Sequence, residues 1–396
     1  AALMIEGNID IPKLQRAFEE LIRRHDTLRT SFEIVDSEPV QKIHKNVEFS
    51  VKVVEGIGAG LDNDSEDIKD QIDRLADNFI KPFDLAKAPL IRVQIVRLSE
   101  QRHILLLDMH HIISDGTSMG ILVKEFVSLY KGEKLKDLSV QYKDYAGWKK
   151  SMEEGDALLK QEGYWLSRFH GEIPVLTLPL DFPRPAVRSF EGDRIWFEID
   201  SSLKQRLKEL GTKKGASLYM VLLAAYNILL SKYSGQEDIV VGSPIAGRNH
   251  PDTENIVGMF VNTLPLRNFP EGNKTFSNFL DEVRRDTLRA YQNQDYQFEQ
   301  LVEKLGVKRD MSRNPIFDTM FVLQNMEIPE IEIEEARFVR HNLRNKAAKF
   351  DITLEAEENR NGISFSLEYN TGIFKRGTIE RLARHFNKIL EEIAKN

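Results

Sequence analysis

Residues 103–118 read His103-Ile104-Leu105-Leu106-Leu107-Asp108-Met109-His110-His111-Ile112-Ile113-Ser114-Asp115-Gly116-Thr117-Ser118. The run His103 to Met109 is short and apolar, as a strand would be, and a helical pattern follows from Ser118 to Tyr130. A His-His-x-x-x-Asp-Gly sequence therefore sits at a strand-to-helix junction. Adjacent side chains on an extended chain point to opposite faces, so His110 and His111 do not have the spacing of two ligands for one ion. That disfavours a metal site. The plainer reading is one core histidine, one surface histidine and an Asp-Gly turn.

Outward from this junction the elements alternate. Asp10 caps a helix with Pro12 in its first turn and Leu14, Phe18, Leu21 and Ile22 on one face. Thr27–Val35 and Pro89–Leu98 read as strands, with a helix through Ile72, Leu75, Ala76 and Phe79 between them. Tyr142–Phe169 reads as mostly helical. Leu178-Pro179-Leu180-Asp181-Phe182-Pro183-Arg184-Pro185 then places three prolines in eight residues, which disfavours helix and central strand alike. This predicts a first lobe over residues 1–172, a Pro-rich linker over 173–186 and a second lobe over 187–396. In the second part, strands at Arg194–Ile199, Asp238–Val241, Gly258–Leu266, Ile316–Gln324, Phe350–Ala356 and Ile363–Tyr369 mix with helices at Leu203–Lys213, Ser217–Tyr233, Phe276–Tyr291 and Lys375–Ala394. The fold class is α/β in two lobes.

Composition narrows the functions. A chain of 396 residues without cysteine has no disulfides, Cys–Zn sites, Fe–S clusters or thiol nucleophiles. Lys+Arg is 55 against Asp+Glu 62, a formal charge of −7, so nothing global draws the chain to nucleic acid or anionic lipid. The longest apolar run, Leu218–Leu230, contains Asn227 and is too short to span a bilayer. No signal peptide is read at the start, so the expected location is cytoplasmic. The chain opens Ala1-Ala2-Leu3-Met4 within a strand-like run, which predicts a fragment of a longer protein.

The His-His-x-x-x-Asp-Gly sequence resembles the signature of non-ribosomal peptide synthetase condensation domains, within the wider chloramphenicol acetyltransferase-like acyltransferases. Five further segments resemble elements of the same family, in the same order. They are Arg24-His25-Asp26-Thr27-Leu28-Arg29-Thr30-Ser31-Phe32, with Asp26 for the family's Glu, and Tyr142-Lys143-Asp144-Tyr145-Ala146-Gly147-Trp148. Next come Val257-Gly258-Met259-Phe260-Val261-Asn262-Thr263-Leu264-Pro265-Leu266-Arg267 and Asn293-Gln294-Asp295-Tyr296-Gln297-Phe298-Glu299, where Gln297 replaces the usual Pro. The last is Arg309-Asp310-Met311-Ser312-Arg313-Asn314-Pro315-Ile316. The family's first element, a Ser-x-Ala-Gln-x-Arg-type segment expected before Arg24, is absent, which adds to the expectation of N-terminal truncation.

The resemblance implies two acetyltransferase-like lobes in a V-shaped pseudo-dimer, with mixed sheets flanked by helices. It implies amide formation, in which a carrier-bound aminoacyl amine attacks a carrier-bound acyl or peptidyl thioester. The partners implied are an upstream donor and a downstream acceptor carrier protein, each with a 4'-phosphopantetheine arm, and an adjacent adenylation domain. No cofactor or metal is expected on the chain itself. His111 is the implied catalytic residue, either accepting the amine's proton or orienting the amine. His110 would fix the loop, and Asp115 would pair with an arginine, either Arg24 or Arg248. Gly116 would leave room for the acyl carbonyl at a helix N-terminus. Ser118 either lines the substrate tunnel or only caps the helix. Asn262 either satisfies backbone or acts near the tunnel, and Asn314 either hydrogen-bonds an intermediate or caps the turn before Pro315. Trp148 is expected as a core anchor, and the remaining histidines, His25 and His103 among them, as structural or surface groups.

Alternatives remain. Epimerisation domains share the signature, but their Ser-Trp-Arg-Ile-Leu-like run is Ser118-Met119-Gly120-Ile121-Leu122 here. Heterocyclisation domains carry an Asp-rich signature instead. A coenzyme A-dependent acetyltransferase and a non-catalytic carrier-docking module are the other readings.

Overall fold

The structure, a computed structural model, describes residues 1–56, 66–152, 155–324, 331–333, 336–341, 343 and 346–395. The strands are β1 (Ala2–Gly7), β2 (Thr30–Val35), β3 (Glu38–Ile43), β4 (Lys52–Glu55), β5 (Ile91–Ser99), β6 (Arg102–Met109), β7 (Gly192–Asp200), β8 (Ile239–Ile245), β9 (Asn262–Asn268), β10 (Thr319–Gln324), β11 (Glu332–Ile333), β12 (Ala336–His341), β13 (Ile352–Asn359) and β14 (Gly362–Asn370). The helices are α1 (Ile11–Arg24), α2 (Glu66–Phe79), α3 (Gly116–Tyr130), α4 (Tyr142–Met152), α5 (Asp156–Arg168), α6 (Ser201–Lys213), α7 (Leu218–Ser234), α8 (Phe276–Gln292), α9 (Phe298–Lys304) and α10 (Arg376–Ile393). Among the described residues no single helix is long and apolar enough to cross a membrane.

The first compact unit takes residues 1–151, 248–260 and 326–344. Its sheet runs β11-β12-β1-β6-β5-β4, antiparallel except for the β4–β5 pair. Period-two alternation serves both faces of this sheet. Ile5, Ile95 and Leu105 pack with Leu14, Phe18 and Leu21 of α1 and Leu122 and Phe126 of α3. Val96, Ile104 and Leu106, one residue out of step, pack with Ile72 and Ala76 of α2.

The second unit takes residues 152–247, 261–325 and 345–396. Its sheet runs β7-β14-β13-β10-β8-β9, with β10 parallel to both β13 and β8 and the other pairs antiparallel. The apolar run 218–230 becomes α7, buried on nearly every side, capped by the Ser217 side chain and stopped by Gly235 at φ 71°.

The mixed α/β class expected from sequence is the class observed, but the contiguous division is not. Residues 336–341 lie in the second half of the chain, yet β12 pairs with β1 from Ala2↔His341 to Gly7↔Ala336 and completes the first sheet. Residues 248–260 also join the first unit, whereas α5 belongs to the second. The Pro-rich stretch is no free linker either. Leu176 and Leu178 are buried in the second unit's core, and Arg184 pairs with Asp351. Strand pairing across hundreds of residues leaves no mark in local composition, so a composition shift misplaces such boundaries.

Candidate active site

β6 carries the chain out of the first sheet to Met109, and the His110 N–H donates to Leu90 O at 3.0 Å. A single 3-10 turn, His111–Ile113, follows, anchored by the buried Ile113 in the core shared with α1 and α3. His110 stays half-buried at the start of this turn. Its Nδ1 accepts from the Ile112 N–H at 3.0 Å, and its ring meets Phe83 edge-on.

His111 is exposed. Its Nδ1 lies 2.7 Å from the carbonyl oxygen of Ser114. A carbonyl only accepts, so Nδ1 carries the proton in that bond, and the neutral ring keeps its lone pair on Nε2. The turn thus fixes the tautomer and leaves Nε2 facing outward. Gly116, also exposed, is the first residue of α3, at the end of the helix that favours negative charge.

The turn is held from behind. Asp115 is only 3% exposed and caps α3, accepting from the Ser118 N–H at 2.7 Å. Its carboxylate also accepts from the Phe260 N–H at 3.2 Å and from Arg248 Nη2 at 3.0 and 3.2 Å. Arg248 binds the carbonyls of Thr253 and Ile256 and covers the Phe260 ring at 3.9 Å. One side chain thereby ties the 248–260 segment to the start of α3. Burial pulls Arg248 below its ordinary pKa, and Asp115 works against that pull. Ser118 Oγ takes the Gly258 N–H at 3.0 Å and sits within 2.9 Å of the Gly258 carbonyl. Tyr142 donates to the Met259 carbonyl at 2.6 Å. Burial, with Tyr145 and Asp115 adding to it, pushes its hydroxyl up to about 12.

Arg24, the other arginine expected as a partner for Asp115, lies elsewhere. Its Nε contacts both carboxylate oxygens of Glu125 at 3.1 Å, and buried His25 meets the same carboxylate at 2.6 Å. Arg24, His25 and Glu125 tie α1 to α3 and take no part in the turn. Glu125 lies 101 residues from Arg24, and no local pattern marks it.

A condensation-domain family model matches residues 1–396. The chain belongs to the condensation-domain family. It is 50% identical over 393 residues to bacitracin synthase 3 of Bacillus licheniformis, covering 99% of this chain and 6% of that one. It is 51% identical over 395 residues to gramicidin S synthase 2 of Brevibacillus brevis, covering 100% of this chain and 9% of that one. The chain thus spans less than a tenth of either relative. The solved condensation domain of the monacolin K polyketide synthase matches in fold, with TM-score 0.86 and 21% identity over 100% of this chain and 91% of that one.

In this condensation domain the other expected site residues are ties. Ser118 is wholly buried inside the first turn of α3, where its N–H and hydroxyl reach the carboxylate of the N-cap Asp115, so Asp115 and not Ser118 is the helix cap, and the buried hydroxyl offers no surface to a tunnel. Asn262 is buried as well. Its Nδ2 donates to the carbonyls of Gln294 and Tyr296 at 2.9 and 2.8 Å, and its Oδ1 accepts from the N–H groups of Phe298 and Thr263. It joins the start of β9 to the start of α9, with no group left for a substrate. Asn314 is half-buried, its Nδ2 donating to the Lys349 carbonyl at 3.2 Å. Trp148 is 47% exposed and anchors no core; Tyr142 and Tyr145 are the α4 residues that pack on Phe260. Among the described residues no cluster of His, Asp or Glu is arranged to hold a metal ion.

Proposed function

We propose that this condensation domain forms an amide bond between two carrier-borne substrates. The α-amine of an aminoacyl group on a downstream carrier attacks the thioester carbonyl of an acyl or peptidyl group on an upstream carrier. The C–N bond forms, the C–S bond breaks, and the sulfur leaves as a thiolate on its phosphopantetheine arm. The amine gives up a proton to His111 Nε2, which returns it to the leaving thiolate. An α-amine titrates at about 7.7–8.0, so part of it is already neutral at cellular pH and a neutral imidazole suffices as acceptor. Holding two tethered reactants together supplies much of the remaining acceleration.

The observation that carries this reading is the exposed His111 ring with its Nδ1 committed to Ser114 and its Nε2 free. An acyltransferase needs such a group, whereas a docking module does not. The partners that follow are two carrier proteins and a neighbouring adenylation domain.

The test mixes acyl-loaded and aminoacyl-loaded carrier proteins with the chain and follows the product by mass. Amide accumulates on the acceptor carrier with the native chain, and His111→Ala lowers the rate about a hundredfold or more. If both carriers bind and nothing is transferred, the domain is a docking module and the proposal fails.

A further inference from the structure

The C-terminal half of α8 turns Arg285, Leu288, Arg289 and Gln292 outward, with Leu288 43% exposed. Helical spacing puts Arg284 and Arg285 one turn before Leu288 and Arg289 beside it. The carboxylates of this helix are already engaged. Asp286 accepts from Arg168 at 2.8 Å and from Arg285 at 2.9 Å, Asp281 from Lys214 at 2.9 Å, and Glu282 from Lys274 at 2.8 Å. Among the described residues neither Arg284 nor Arg289 forms an ion pair. Arg284 Nε is buried and has no hydrogen-bond partner, and its Nη1 reaches the loop at Gly215, next to the exposed Lys213.

Arg284 is half-buried and carries its charge with no carboxylate partner among the described residues. Here it belongs to a chain of formal charge −7 and stands beside a second unpaired arginine and an exposed leucine. We propose that this ridge of α8 docks an acidic protein partner. The partner's carboxylates meet Arg284 and Arg289, and one of its apolar side chains covers Leu288. A nucleic acid would satisfy the arginines but leave Leu288 uncovered, which is why the observations favour a protein segment. The proposal does not depend on the amide-forming reading, since no step of that chemistry uses α8.

The experiment titrates the full chain into a labelled amphipathic helical peptide with glutamates surrounding one leucine, read by fluorescence anisotropy. Binding is expected to saturate at about 0.05 M salt and to weaken about tenfold by about 0.2 M. Arg289→Glu weakens it at least about tenfold. Leu288→Ser weakens it about fivefold, as does replacing the peptide's own leucine by serine. Arg289 is exposed, so its variant keeps the native melting curve; the half-buried Arg284→Glu is read only beside it. No binding by the native chain overturns the proposal. So does full competition by a short DNA duplex together with indifference to Leu288→Ser, which would mark the ridge as a general polyanion surface.

Discussion

Arg248 Nη2 donates to both carboxylate oxygens of Asp115, at 3.0 and 3.2 Å, across 133 residues of sequence. Both side chains are buried, the arginine 6% and the aspartate 1% exposed, so the pair is shielded from water and salt. Its consequence lies one residue upstream, where the Ser114 carbonyl holds His111 Nδ1. Asp115→Asn keeps the shape of the cap but leaves the Arg248 charge buried without a counter-charge. The expected loss is about 3–5 kcal/mol in urea unfolding, accompanied by a fall in amide formation. A loss below about 1 kcal/mol, within the range of an ordinary surface change, would show that the pair does not hold the turn.

Gly258 packs against an aromatic face. A Cβ there would lie 2.1 Å from Cδ2 of Tyr142, and that ring is fixed by its bond to the Met259 carbonyl and its edge-on contact with Phe260. Gly258→Ala should therefore destabilise by about 1–3 kcal/mol through overpacking. The check is a double-mutant cycle with Tyr142→Ala. If the steric cause is right, the alanine at 258 costs much less once the ring is gone. Strict additivity would refute it.

What could be read in advance follows from how local each feature is. The strand, turn and helix at 103–130 are legible because an apolar run at 103–109 and a helical period at 118–130 stand close together, but the pattern starts the helix two residues late and makes Ser118 rather than Asp115 its cap. The bounds of α8 and α10 agree with the sequence pattern to within a residue, because their helical periods are equally local. Strands β3 and β4 carry no such signal, since β3 is mostly exposed and β4 wholly so, which leaves no apolar alternation. The apolar pattern starts β9 earlier than the structure does, because Val257 and Phe260 are apolar but belong to the loop tied down by Arg248. The choice between Arg24 and Arg248 could not be made from sequence at all. Each arginine finds its carboxylate more than a hundred residues away, and only the pairing of β1 with both β6 and β12, with the return of 248–260, decides which is near.

His103 supplies a pH dependence. It is buried on β6, and burial lowers its imidazole below the ordinary value of 6.5, with Arg97 pushing the same way and Glu55 opposing. The unfolded chain therefore takes up a proton more readily than the folded one. Stability from this group is complete above about pH 6.5 and is lost as the pH falls through the lower folded value. Urea midpoints at about pH 7.5 and 5.5 should differ less for His103→Leu than for the native chain, because leucine fills a similar space and has nothing to protonate. An equal drop in both proteins would remove His103 as the cause.

The tryptophans of α4 and α5 make the last comparison, because burial separates two residues of the same kind. Trp165 is 2% exposed, its Nε1 donates to the Asn293 carbonyl at 2.7 Å, and its ring lies edge-on to Tyr164 within the second unit's core. Trp148 is 47% exposed and touches Tyr145 at a centroid distance of 5.9 Å. Removing Trp165 opens a cavity and strands the Asn293 carbonyl, so Trp165→Ala should cost about 3–5 kcal/mol. Trp148→Ala gives up one exposed ring contact and should cost less than about 1 kcal/mol. Each is measured by urea denaturation of the full chain followed by far-ultraviolet circular dichroism, a probe that does not depend on the residue removed. Comparable losses for both would mean that Trp148 is covered in solution, and the exposure of this face of α4 would have to be given up.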